Sequence, residues 1–160
     1  MMLKTIQKII ATSGGAGYFP VAPGTIGALV GVVIAIIVMK CYPQHANNIL
    51  LALVILSYLI GVWAVSGLTE EWGDDPSRVV IDETCGIWVA LLFIPLTYSN
   101  IVMAFVFFRL FDIWKPLFIN KIDAMKSSHA VMLDDVVAGV YSNIMVRLIS
   151  ILVMQAYSSF

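Results

Sequence analysis

In a chain with few charges, seven side chains stand out as able to do chemistry: Asp82, Glu83, Arg109, Asp112, Lys115, Asp134 and Asp135. Arg109, Asp112 and Lys115 are spaced i, i+3, i+6, so on a helix they share one face, about a turn apart. They follow an apolar run from Ile101 to Phe108, and Pro116 is expected to end that helix. Charges at the edge of an apolar helix are expensive and usually have a job; the plainer account is a snorkelling Arg and Lys with an Asp counter-ion. Asp82-Glu83 and Asp134-Asp135 each stand at the head of an apolar segment. The helix macrodipole favours a carboxylate at an N-terminus, which accounts for either pair alone. It does not account for five carboxylates gathered on one membrane face, where they would repel one another uncompensated. A hard divalent cation offsets that cost. Mg²⁺ prefers oxygen ligands, typically a few carboxylates with waters and a substrate phosphate. Arg109, Lys115 and the backbone amides of a Gly-rich loop over Ser13–Thr25 suit a phosphate group. The expected chemistry is therefore that of a metal-phosphate site.

The elements that must position these groups follow from composition and hydropathy. Of the 160 residues, 61% are hydrophobic and 12% charged, roughly half the usual charged share of ~25%. The mean hydropathy is +0.96. That is the composition of a membrane protein, here one all-α domain over residues 1–160: a small polytopic bundle of about four to five hydrophobic helices. Lys4 and Lys8 mark the N-terminal segment as a short amphipathic interfacial helix, and no signal peptide is read there. Apolar runs are read at 26–39, 49–66, 79–96, 101–115 and from 133 to about 155, separated by polar turns and, over 117–132, by a polar loop. Counting crossings brings the Gly-rich loop, Asp82-Glu83, Arg109–Lys115 and Asp134-Asp135 out on one side. Lys4, Lys8, Arg78, Arg109, Lys115, Lys121 and Lys126 share that side and Lys40 takes the other, so the positive-inside rule puts the site in the cytoplasm. The third and fourth helices are short enough to be tilted or partly embedded. Gly27 and Gly31 read as a helix-packing pair, Cys41 and Cys85 as small buried hydrophobes, and His45 and His129 as loop residues. Arg147, within the last helix, has no evident partner. No basic cluster or stacking motif suggests nucleic acid, and nothing sets an oligomeric state.

Several kinds of phosphate chemistry are excluded by spacing. A cysteine phosphatase needs Arg six residues after Cys, where Cys85 has Leu91 and Cys41 has Asn47. An aspartyl nucleophile of the dehalogenase type needs a second Asp two residues on, where Asp112 has Trp114. Ser127-Ser128-His129 lacks the further motifs of a histidine-based lipid phosphatase. The Gly-rich loop lacks the Gly-Lys-Ser/Thr of a nucleotide P-loop.

Four motifs in order carry a resemblance: Gly17-Tyr18-x-Pro20-x-Ala22-Pro23-Gly24-Thr25, Val80-x-Asp82-Glu83-x-x-Gly86, Phe108-Arg109-x-x-Asp112-x-x-Lys115-Pro116 and Asp134-Asp135-x-x-Ala138-Gly139. Together they resemble the phosphatidylglycerophosphatase A family, from about Gly14 to Gly139. Leu117 stands where that family usually has a second Pro, and the loop before Asp134 lacks its usual glycines. The resemblance implies a Mg²⁺-dependent phosphatase of the bacterial inner membrane. Its substrate would be the membrane phospholipid phosphatidylglycerophosphate and its products phosphatidylglycerol and inorganic phosphate, on the way to cardiolipin. It implies substrate contacts from Gly17, Tyr18, Pro23, Gly24, Thr25, Arg109 and Lys115. Asp82, Glu83, Asp134 and Asp135 form the pool of metal ligands, with Asp112 a further ligand or a neighbour. Asp82, Arg109, Asp112 and Lys115 are the candidate catalytic groups. Attack by water and attack by an Asp carboxylate both remain open.

Overall fold

The computed structural model describes residues 2–73, 76–125 and 127–158. Asp74, Asp75 and Lys126 lie outside them. Among the described residues, eight helices account for most of the length: α1 (Met2–Ala11), α2 (Pro23–Cys41), α3 (Ala46–Ser66), α4 (Thr69–Trp72), α5 (Ile81–Leu91), α6 (Tyr98–Trp114), α7 (Phe118–Asp123) and α8 (Ser128–Ser158), with a 3₁₀ turn over Ala16–Tyr18. No strand occurs among the described residues, so the all-α expectation holds.

Among the described residues, α2, α3 and α8 are long and apolar enough to cross a membrane. They expose Leu29 and Val33, Leu56 and Leu59, and Leu148 and Leu152 respectively. Exposed apolar surface of this kind is what lipid contact requires. At 1.5 Å per residue, the 11 residues of α5 and the 17 of α6 reach only about 16 Å and 25 Å, short of a hydrocarbon core of about 30 Å.

Short as it is, α5 is the hub. Every residue from Thr84 to Leu91 is buried, and the helix packs against α2, α3, α6 and α8. Small residues make that possible. Gly27 of α2 faces Val80 and Gly31 faces Ile87, too close in both cases to admit a Cβ, so the pair does serve helix packing. The Trp88 indole donates to the Gly31 carbonyl at 2.9 Å. Gly86 and Gly139 touch where α5 crosses α8.

The structure corrects several local expectations. The third apolar run stops being helical at Leu91, not Leu96, because Leu92 is extended and Phe93 is left-handed at φ 55°. The segment read as a loop over 117–132 contains α7 and the start of α8. Ser127 caps α8, its hydroxyl accepting the Ala130 amide at 3.1 Å. Asp134 and Asp135 therefore lie almost two turns inside α8, beyond the first-turn macrodipole effect, and His129 is helical. Cys85 is buried as expected, whereas Cys41 is exposed. At the N-terminus α1 exposes Met2, Leu3, Ile6 and Ile9 and buries Gln7 and Ala11. Lys8 pairs with Glu71 and lies 5.7 Å over the Trp72 ring, and its hydrogen bond holds the Glu71 carboxyl below the usual range.

Candidate metal and phosphate site

Three elements converge on one cluster. Asp82 and Glu83 occupy the first turn of α5, Asp135 comes from α8, and Arg109 and Asp112 come from the last turns of α6. Asp82, Glu83 and Asp135 each offer a carboxylate oxygen, and these oxygens lie within 4.8 Å of one another. The crossing of α5 over α8 sets that distance. Gly86 and Gly139 stand four residues after Asp82 and Asp135, so each acid lies one turn before the contact, on the same side of it. A Cβ at Gly86 would lie 2.7 Å from the Asp135 carbonyl oxygen. The two acid pairs also share a local conformation: the Glu83 amide donates to Asp82 Oδ1 at 3.1 Å and the Asp135 amide to Asp134 Oδ1 at 3.0 Å.

The electrostatics of the group are adverse without a cation. Asp82 and Asp135 are buried, and Glu83 keeps only limited contact with solvent. Burial pushes the Asp82 and Glu83 carboxyls up, most strongly at Glu83. There the charges of Asp82 and Asp112 push the same way while Arg109 pulls back. Glu83 Oε2 is buried and accepts no hydrogen bond. An all-oxygen donor set with an orphaned buried carboxylate oxygen fits Mg²⁺. Asp82, Glu83 and Asp135 together can thus hold a metal ion, and Asp134 lies outside that group of three.

Asp134 is placed differently. Its Oδ2 accepts from Lys115 Nζ at 2.9 Å, and Lys115 also pairs with Asp123 of α7. Burial alone would lower the Lys115 pKa, but these two hydrogen bonds outweigh it and hold the amine above its usual value. Lys115 is the residue after α6, left-handed at φ 45° and ψ 54°, and Pro116 follows it as expected. Asp123 was not singled out from sequence, because it lies eight residues from Lys115 across a break in the helix. Arg109 forms an ion pair with Asp112 one turn away, but its buried Nε finds no hydrogen-bond partner. Of the two cations foreseen for phosphate, Arg109 is thus held by Asp112, and Lys115 by Asp123 and Asp134.

The Gly-rich loop reaches the same place through α2. Pro23 is the first residue of α2, and a Cβ on Gly24 would collide with Glu83 Oε1 and lie 3.4 Å from Arg109 Nη1. Gly17 is buried under the Arg78 carbonyl, Tyr18 is exposed with its ring edge-on to Trp72 at 6.5 Å, and Thr25 is half-buried. A cleft of about 550 Å³ is lined by Gly17, Tyr18, Phe19, Pro20, Pro23, Ser77 and Arg78. Pro23 borders this cleft and its neighbour Gly24 touches Glu83, so the two adjoin. Arg78, counted from sequence only among the charges of the site's side, lines the cleft.

A family model described as phosphatidylglycerophosphatase A matches residues 9–150. The chain belongs to the phosphatidylglycerophosphatase A family. Family members are phosphoric monoester hydrolases, and so is this protein. A Bacteroides thetaiotaomicron protein named putative phosphatidylinositol-3-phosphatase is 45% identical, with 88% of this chain and 91% of that one covered. Proteins named phosphatidylglycerophosphatase A from Haemophilus influenzae and Escherichia coli are 33% and 31% identical. They cover 86% and 84% of this chain and 85% and 77% of their own lengths. No solved structure matches the chain.

Two substitutions probe the site with little risk to the fold. Gly24→Ala places a methyl against the end of the Glu83 side chain, which can swing away. The protein should fold while its affinity for a divalent cation falls about 10–100-fold, the usual cost of a disturbed metal environment; a Mg²⁺ titration of activity reads this directly. Lys115→Met should lower kcat/KM by about 10²–10³, the effect of removing one donor to developing charge. Steady-state kinetics with the lipid substrate would show it, and an unchanged kcat/KM would remove Lys115 from the site.

Proposed function

We propose that the protein is a Mg²⁺-dependent hydrolase of the terminal phosphate monoester of phosphatidylglycerophosphate, forming phosphatidylglycerol and inorganic phosphate in the pathway to cardiolipin. The observation that carries this reading is the buried group of Asp82, Glu83 and Asp135, with its unsatisfied Glu83 oxygen, flanked by Arg109 and Lys115. Asp82, Glu83 and Asp135 would hold Mg²⁺, which when bound screens phosphate oxygens and acidifies water. Arg109 binds phosphate oxygens with its forked donors while Asp112 keeps the guanidinium aimed. Lys115 donates to a further phosphate oxygen and is held in place by Asp123 and Asp134. Both cations oppose the negative charge that builds on the phosphoryl oxygens. Water attacks phosphorus as the P–O bond to the headgroup breaks, and a carboxylate that does not ligate metal takes the water proton and passes it to the departing oxygen, so that the headgroup leaves as an alcohol and the phosphate as inorganic phosphate. The Arg78 cleft holds the rest of the headgroup.

On this reading the protein resides in the bacterial inner membrane with its site toward the cytoplasm. Lys4, Lys8, Arg78, Arg109, Lys115 and Lys121 lie on the site's side of the chain, against Lys40 at the opposite end of α2 and Arg147 at the far end of α5, the bias expected of cytoplasmic flanks.

A second headgroup is favoured by one specific observation, the name of the 45% identical relative. Phosphatidylinositol 3-phosphate likewise carries a phosphomonoester on a polyol headgroup. The test compares kcat/KM for phosphatidylglycerophosphate, phosphatidylinositol 3-phosphate and phosphatidic acid in matched mixed micelles with Mg²⁺. The proposal expects the first to exceed the others by at least about tenfold, a 1.4 kcal/mol difference. A preference for the inositol lipid would transfer the assignment to that headgroup.

A further inference from the structure

Arg147 had no evident role in the sequence, yet it sits inside the apolar stretch of α8 with Leu148 to Met154 continuing beyond it. Its Nη2 donates to the Phe93 carbonyl at 2.8 Å and the Leu92 carbonyl at 3.2 Å, and its Nε to Asn143 Oδ1 at 2.7 Å. Asn143, one turn earlier, donates from Nδ2 to Leu92 O at 2.8 Å and Ala90 O at 2.9 Å, with a longer approach to Val89 O at 3.5 Å. From the other side Asn47 of α3 accepts the Phe93 amide at 2.9 Å. Apart from the Arg147–Asn143 bond within α8, these contacts fall on the C-terminal end of α5 and the turn that leaves it.

The placement answers a physical need. A helix leaves its last four carbonyls without partners, and within a bilayer no water can satisfy them. Since α5 stops after 11 residues, its terminal carbonyls and those of the turn that follows need protein donors: Asn143 meets Ala90 and Leu92, and Arg147 meets Leu92 and Phe93. A cation at a helix C-terminus also complements the macrodipole. The opposite end of this short rod carries Asp82 and Glu83.

We infer that Asn143 and Arg147 are positioning residues of the active site. They clamp the C-terminal end of α5 and so hold Asp82 and Glu83 in register with Asp135, which stands on the same helix as the clamp. Acids and clamp thus belong to one pair of rigid elements: α8 carries Asp135 at one level and Asn143 and Arg147 two to three turns on, while α5 spans between them. This role rests on the metal-site reading for its catalytic consequence but not for the clamp itself.

The test uses the full-length protein in detergent and compares wild type with Arg147→Met, Arg147→Lys and Asn143→Leu. Two readouts are taken: amide hydrogen exchange, and Mn²⁺ binding followed by electron paramagnetic resonance. In Arg147→Met and Asn143→Leu, exchange should accelerate across residues 81–93 while α2 and α3 stay protected. Mn²⁺ affinity should fall about 10–100-fold, the range for groups that orient ligands. Arg147→Lys keeps a cationic donor and should restore much of both. A folded Arg147→Met or Asn143→Leu with wild-type exchange over 81–93 and wild-type Mn²⁺ affinity would overturn the inference. Uniformly faster exchange, unrepaired by Lys, would also overturn it, since that marks a general loss of stability. Should Arg147→Met not fold, Arg147→Lys and Asn143→Leu decide by the same criteria. If wild type itself binds no Mn²⁺, the metal reading falls, and exchange at 81–93 still decides the clamp.

Discussion

Asp135→Asn is expected to reduce phosphate release by at least about 10³-fold, the rate equivalent of the several kcal/mol that a metal-assisted site supplies. The carboxylate of Asp135 is buried and lies within 4.8 Å of those of Asp82 and Glu83. An amide keeps the shape of the side chain but removes the charge that makes it a good partner for a hard cation. Stability should move the other way. Three carboxylates in so small a space repel one another, so replacing one with a neutral group relieves the metal-free protein. The metal-free melting temperature of Asp135→Asn should therefore equal or exceed that of wild type, while the rise that wild type gains on adding Mg²⁺ should be lost. Asp82→Asn should behave alike. Asp134→Asn separates the two placements of that residue. If Asp134 serves by holding Lys115, as its 2.9 Å contact indicates, its loss should raise KM and leave the Mg²⁺ requirement near that of wild type. A Mg²⁺ requirement raised as far as in Asp135→Asn would make Asp134 a ligand.

Gly139→Val is expected to remove activity and to lower the melting temperature in the same step. A Cβ at Gly139 would collide with the Gly86 carbonyl oxygen and lie 2.9 Å from Val89 Cβ. Neither neighbour can yield cheaply, since one is backbone and the other a β-branched side chain packed in α5. Overpacking of this kind costs about 1–3 kcal/mol and is relieved by moving helices apart. Moving α5 from α8 separates Asp82 and Glu83 from Asp135, so the metal requirement should rise beyond practical concentrations. Leu148→Ala, on the exposed side of the same helix, should change neither quantity. Thermal unfolding in detergent and a Mg²⁺ titration of activity measure both. Wild-type Mg²⁺ dependence in Gly139→Val would show that the crossing does not set the site.

Much of this was legible in the chain because the signals are local. The apolar runs became helices, the i, i+3 spacing of Arg109 and Asp112 became an ion pair, and Pro116 follows the end of α6. The acids were found because carboxylates are rare in so apolar a sequence. Their spacing to glycine held more than was read from it. Asp82 to Gly86 and Asp135 to Gly139 are both four residues, which places each acid one turn from a close helix crossing, but a crossing belongs to two helices and appears in neither alone. What stayed hidden is non-local. Nothing near Arg147 announces that its partners are carbonyls 54 and 55 residues away. The pairing of Lys115 with Asp123 spans a break between helices, where periodicity carries no information. The start of α8 at Ser128 was masked by the polar stretch around it, although Ser127 is a good N-cap.

The central claim is that Asp82, Glu83 and Asp135 hold a divalent cation that phosphate release requires. The most direct measurement is inorganic phosphate released from phosphatidylglycerophosphate in detergent micelles by purified protein, with Mg²⁺, with EDTA, and with Mg²⁺ restored in excess over EDTA. The account predicts release with Mg²⁺, none with EDTA, and recovery on restoration. Release that persists undiminished in EDTA would contradict it.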